Sequence, residues 1–193
     1  MPDLNFDPAS RFNPVIAEWE IEHEDVFNLK RLLTISHDWL YSNGWRCIDS
    51  KDERFETLYN HKVLANGNIE HNIWWRAFLI PKKSEYVKWI FKLDFQTINM
   101  GKTKINGASS NKGDIIIRCK SYMMMDYQRK WRDHKILKYF HNYFMNKFYR
   151  DELEQFKIDL WNMTYELEAV IKEFMKLKHP VKIQKQFHPD KGV

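Results

Sequence analysis

The chain has 193 residues, 44% of them hydrophobic and 16% aromatic, with only six Gly and six Pro. That composition supports a sizeable core and excludes collagen-like, linker-rich and disordered classes. The net charge is +5, and no apolar run approaches the roughly 18 residues of a membrane span.

The first residues, MPDLNFDPASRFNP, hold three prolines and neither the basic nor the apolar region of a signal peptide. Residues 1–17 read as an irregular arm. Residues 18–178 read as a single α+β domain and 179–193 as an extended basic tail. From Glu18 to Glu24 the chain alternates strictly, with Glu18, Glu20, Glu22 and Glu24 on one strand face and Trp19, Ile21 and His23 on the other. Successive same-face carboxylates lie about 7 Å apart, too far for all four to share an ion. A solvated acidic edge strand is expected.

Helical periodicity follows over 29–43, with Asn28 as its N-cap and Asn43-Gly44 as its stop. His37-Asp38 lies in it, and adjacent helix positions face different ways. From Trp45 to Tyr127 the pattern is strand-like. Strands are expected at 55–63, 69–80, 86–98 and 114–125, with an Asn66-Gly67 hairpin turn between the first two. Residues 100–113, with three glycines, are expected to form a polar loop. Gly101-Lys102-Thr103 resembles the tail of a phosphate-binding loop, but no Gly stands five residues before Gly101 as that loop requires.

Two helices are expected last. Ile136, Leu137, Phe140, Tyr143, Phe144 and Phe148 mark one, with Asp133 as its cap and a break at 149–151. The other runs over 152–177. Its Leu153, Phe156, Leu160, Met163, Leu167, Val170, Phe174 and Leu177 recur at alternating spacings of 3 and 4, a heptad seam. The expected fold is therefore α+β: one antiparallel sheet of four to six strands, packed by an N-terminal helix and two C-terminal helices. The last helix is expected to lie across the sheet, with pairing to the preceding helix or to its own copy in a neighbour as the alternative.

No complete catalytic motif is present. The eight His form no HExxH or HxH, and there is no GxSxG or dinucleotide fingerprint. His61 and His71 flank the Asn-Gly turn without a third ligand. Cys47 and Cys119, too few for a disulfide framework or zinc ribbon, are expected to be reduced and buried. No cofactor or metal is read from the sequence. The expected location is cytoplasmic or in a virion.

Charge is distributed unevenly. Residues 1–75 carry 7 Lys/Arg against 13 Asp/Glu, residues 76–150 carry 17 against 5, and residues 151–193 carry 7 against 8. Acidic and basic strands can meet within the fold. The sharper expectation is a basic surface for a polyanion or for the acidic patch of a neighbouring subunit. Its contact residues are Lys88, Lys92, Arg118 and Lys120 on outer strand faces, Lys102, Lys104 and Lys112 in the loop, and the cluster Arg129, Lys130, Arg132.

The expected function is a non-enzymatic structural or assembly subunit of a large complex, of virion type. It would use opposite-charge faces and terminal arms in a heterologous contact between copies. The alternative is an RNA- or ribosome-associated protein using the basic 76–150 segment.

Two stretches carry a resemblance. Val26-Phe27-Asn28-Leu29-Lys30 with His37-Asp38-Trp39-Leu40 and Gly44-Trp45, and later Met125-Asp126-Tyr127-Gln128-Arg129-Lys130-Trp131, resemble small uncharacterised archaeal proteins. The resemblance implies no activity and no site residue. The Asn- and Lys-rich, Gly-poor usage fits an AT-rich genome, such as that of an archaeon or its virus.

Overall fold

The structure, a computed structural model, describes residues 6–48, 54–105 and 108–176. It is an α+β fold with one six-stranded antiparallel sheet. In chain order the elements are β1 (Val15–Phe27), α1 (Leu29–Ser42), β2 (Arg46–Cys47), β3 (Glu56–Val63), β4 (Ile69–Leu79), β5 (Val87–Ile105), β6 (Ala108–Met125), α2 (Leu137–Tyr143), a π-helical turn (Phe144–Phe148) and α3 (Arg150–Phe174). Strand order is β1-β6-β5-β4-β2, and β3 pairs with β4 beyond β2.

Period-2 patterning separates the two faces of the sheet. Trp19 and Ile21 of β1, Ile73, Trp75 and Ala77 of β4, the odd residues 89–95 of β5, and Ile115, Ile117 and Cys119 of β6 point into one core. Helices α1 and α3 cover that side. Helix α1 is capped as its sequence specifies: Asn28 Oδ1 accepts from Arg31 N at 2.9 Å, and Gly44 leaves the helix at φ +78°. Trp45 then stacks on Phe91, ring centroids 4.0 Å apart.

Helix α3 lies across β1 and β6. Its buried residues are Leu153, Phe156, Leu160, Thr164, Leu167 and Ile171, followed at its C-cap by Met175. This corrects the heptad seam, because Met163, Val170 and Phe174 are only half-buried. A helix on a sheet has no partner to supercoil around, so it keeps its own 3.6 period and drifts about 20° per heptad from a 3.5 repeat. Leu177 lies outside the described residues. Thr164 joins the layers, its hydroxyl 2.9 Å from Ser121 Oγ and its carbonyl accepting from Trp19 Nε1 at 2.9 Å. Ser121 Oγ in turn donates to Ala17 O at 3.1 Å, where the β1–β6 register shifts.

The expected loop at 100–113 is mostly strand. A bulge at Asn99 (φ +52°) interrupts the β5–β6 ladder, which resumes at Gly101 opposite Lys112 and continues to Ile105 opposite Ala108. Gly113 makes this possible: at φ +154° it brings the strands so close that a Cβ would sit 2.9 Å from Met100 Cα. Asn66 and Asn68 of the β3–β4 turn both donate to Asn99 Oδ1, at 3.0 and 2.8 Å.

Two further corrections concern ends. Asp133 does not cap α2: Ile136 stands at the N-cap without a side-chain hydrogen bond, and His134 Nδ1 accepts from the backbone of Ile136 and Leu137 at 3.2 Å each. Strand β1 begins at Val15, and the described arm before it docks on its own chain: Pro14 O and Phe12 O accept from Met123 N and Met125 N. Over residues 6–14 the arm is therefore spent within the subunit. The tail at 179–193 lies outside the described residues.

Leu160 has no exposed surface, whereas Met163 is half-buried. Leu160→Ala is expected to cost about 2–5 kcal/mol in urea unfolding and Met163→Ala less than about 1.5 kcal/mol. Equal costs would restore the heptad face.

Candidate functional site

The other face of the sheet carries no helix. Its side chains come from even positions, and the strand register sorts them into rows. One row runs Arg76, Lys92, Lys120, Glu18. The next runs Trp74, Asp94, Arg118, Glu20, then Asn72, Gln96, Ile116, Glu22. The row beyond ends Ile98, Asp114, Glu24. Lys88, opposite Met124, lies beyond the first row.

The expectation that Lys88, Lys92, Arg118 and Lys120 share one surface agrees with this geometry. They do not share one state. Lys120 Nζ sits 2.8 Å from Glu18, which raises its pKa, and Arg118 pairs with Glu20. Arg76 holds Asp94 at 2.5 Å. The acidic strand thus neutralises part of the basic one inside a single subunit.

Lys88 and Lys92 make no ion pair among the described residues. The Lys88 ammonium lies over the rings of Phe78 (5.0 Å) and Tyr127 (4.6 Å), and burial lowers its pKa. The Lys92 ammonium lies over Phe6 (4.9 Å) and Tyr122 (5.2 Å). Burial, with Arg76 and Lys120 adding repulsion, lowers its pKa. Glu22 and Glu24, at the other end of β1, also make no ion pair among the described residues. The face is basic at the Lys88 end and acidic at the Glu24 end. Six residues separate Lys120 from Asp114, about 20 Å along the strand. That exceeds the roughly 8 Å screening length, so the two ends do not cancel.

The other expected contact residues are dispersed. Lys102 pairs with Asn111 along the ribbon beyond the bulge, and Lys112 faces Val26 and Gly101. Lys104 pairs with Ser109 through its backbone, and its side chain lies outside the described ones. Of the late cluster, Arg129 is exposed at φ +57° and Lys130 pairs with Glu85 at 2.9 Å. Arg132 is a structural cation. It reaches buried Asp126 at 3.2 Å and donates to Asp126 O at 2.8 Å, closing the turn after β6. That turn sets Trp131 on Phe144, centroids 4.2 Å apart, and beside buried His141. His141 Nε2 lies 2.6 Å from the Tyr86 hydroxyl, and its ring stacks on Phe12.

His61 and His71 do oppose each other across β3–β4, with ring centroids 6.3 Å apart. His71 Nδ1 is 3.0 Å from Thr97 Oγ1. Among the described residues no three His, Cys, Asp or Glu side chains gather as metal ligands. His37 and Asp38, expected to diverge, touch at 3.3 Å at the surface. An open cleft of about 330 Å³ lies beside the Lys88 rings, lined by Arg46, Phe78, Ser84, Glu85 and Tyr127 among others. Both cysteines are buried, and burial pushes the Cys119 thiol pKa up.

Sequence reasoning missed one surface. Ile136, Tyr139, Phe140, Tyr143 and Phe148 are all exposed, although several of them mark the expected core of that helix. Leu137, His141, Phe144 and Met145 are less exposed, and Phe144 and Met145 pack on the core.

No family model, curated protein or solved structure matches the chain.

Burial lowers the pKa of His141 and of His71; at His141 the Asp126 carboxylate opposes this and Arg132 and Arg11 add to it, and at His71 the charge of His61 adds to it. Both fold as neutral rings, so the unfolded chain binds more protons as pH falls below about 6.5. Stability contributed by these rings is complete above that pH and is lost as pH falls through the folded pKa values. The urea midpoint is expected to drop between about pH 7 and pH 5. His71→Gln should make that drop shallower; an unchanged slope would remove His71 from the account.

Proposed function

We propose that the protein is a non-enzymatic assembly subunit whose contact surface is the open face of the sheet. The observation that carries this reading is the sorting of charge on that face, with Lys88 and Lys92 at one end and Glu22 and Glu24 at the other making no ion pair among the described residues. A face graded in this way is complementary to a second copy of itself turned by a two-fold axis, which sets the basic end of each over the acidic end of the other. Two sheets packed in this manner lie about 10 Å apart. The contact would be polar and wet, because charged groups rarely bury without partners. It would therefore weaken with salt.

A second reading, binding to RNA, is favoured by Trp74. Its indole is 46% exposed on the same face, one register step from Arg76 and Lys92. An exposed ring beside cations is what base stacking requires.

Sedimentation velocity distinguishes the two. Assembly predicts a mass that grows with concentration, survives nuclease, and falls when salt is raised from about 50 to about 500 mM. Lys88→Glu with Lys92→Glu should abolish the growth, and adding Glu22→Lys and Glu24→Lys should restore it. A strict monomer at low salt and high concentration would sink the assembly reading. Co-purified nucleic acid lost on the same salt step would favour RNA.

A further inference from the structure

The helix α2 and its π-helical turn are apolar on both sides. Inward, His141 is buried and Phe144 packs on Trp131 and Tyr86. Outward, Ile136 (63% exposed), Tyr139 (76%), Phe140 (58%), Tyr143 (57%) and Phe148 (73%) form a ridge. Each such ring offers about 150–250 Å² when fully open, so the ridge presents several hundred Å². That is at least the size of the largest apolar patch on an ordinary monomer, about 300–600 Å², and such patches mark contact sites.

Charge decides what covers it. Residues 127–150 carry seven Lys/Arg; Glu85 and Asp126 hold Lys130 and Arg132, which leaves Arg129, Lys135, Lys138, Lys147 and Arg150 against the exposed Asp133. A second copy of the ridge would set one strongly cationic surface on another. The chain's own 177–193 segment is also cationic, with four Lys against one Asp. Both are repelled, and the occupant is anionic. The ridge's own geometry disfavours stacked bases. Tyr143 and Phe148 pack edge to face at 5.8 Å, Lys138 lies over the Tyr139 ring at 5.0 Å, and Ile136 has no ring to stack. Apolar side chains along one side of the helix, with the exposed Lys135, Lys138, Lys147 and Arg150 interspersed and flanking in sequence, instead match the division between acyl boundary and headgroup phosphate.

We propose that this ridge docks on the surface of an anionic lipid bilayer, with Phe140 and Phe148 entering the acyl boundary and the flanking cations meeting the phosphates. No helix among the described residues is long and apolar enough to cross a membrane, so the contact is peripheral. It lies on a different surface from the open sheet face and does not depend on the assembly reading.

The test is co-sedimentation of the full chain with large vesicles, one set of pure phosphatidylcholine and one with about 30% phosphatidylserine. The expected result is pelleting with the anionic vesicles, weak pelleting with the neutral ones, and release at high salt. Phe140→Ser with Phe148→Ser should weaken anionic binding by at least about tenfold, with little change in the thermal melt, because both rings are more than half exposed. Lys135→Glu with Lys138→Glu should do the same. Three results would overturn the proposal: no preference for anionic vesicles at low salt, wild-type affinity in both double variants, or binding of single-stranded poly-uridylate lost in the Ser variants while vesicles are ignored.

Discussion

The pairing of β1 with β6 is the contact on which the rest of the molecule depends. It joins Val15 to Tyr122 and continues to Phe27 opposite Asn111, so it closes loops of roughly a hundred residues. Loop-closure entropy grows only logarithmically with length, and a ladder of this extent offsets it. Once β1 is in place the sheet has the width that α3 needs. Trp19 of β1 then reaches the Thr164 carbonyl while Ser121 of β6 meets the Thr164 hydroxyl. Without β1, α3 would lose one of the two strands it crosses, and the arm before it would lose its place beside Met123 and Met125.

The same pairing settles where the charges go. Read linearly, the chain has an acidic first third and a basic middle. Folded, Glu18 and Glu20 lie beside Lys120 and Arg118, and the opposition is local. What remains is the difference left by unequal rows: two half-buried ammonium groups over aromatic rings at one end, and carboxylates at the other. The surface property is thus a consequence of register. A slip of one residue would send the Glu side chains into the core.

Much of this was legible in the sequence because period 2 is a strong signal. The alternation of 86–98 and 114–125 identified both faces, and the Asn66-Gly67 turn and the caps of α1 follow from local chemistry. Three features were not legible. The ribbon at 100–113 looks like a loop because its strand character depends on Gly113 facing Asn99 across the ladder, a tertiary relation. The buried face of α3 was displaced toward Met163 and Val170 because the same apolar residues satisfy a 3.5 and a 3.6 repeat over two turns but diverge over six. In α2 apolar residues stand both inward (Leu137) and outward (Tyr139, Phe140, Tyr143), so periodicity does not say which of them face the core. The outward position of Phe140 and Phe148 is set by where Trp131 and Tyr86 stand.

The span between the partners of that first pairing also matters during synthesis. Strand β1 leaves the ribosome about a hundred residues before β6, which at about 5–20 residues per second leaves it alone for roughly 5–20 s. For that interval it is a 13-residue strand with Trp19, Ile21 and Phe27 on it and no partner for either edge. Its row of four glutamates then acts as a gatekeeper against pairing with the same strand of a neighbouring nascent chain. The carboxylates that later hold Lys120 and Arg118 keep the strand waiting for them.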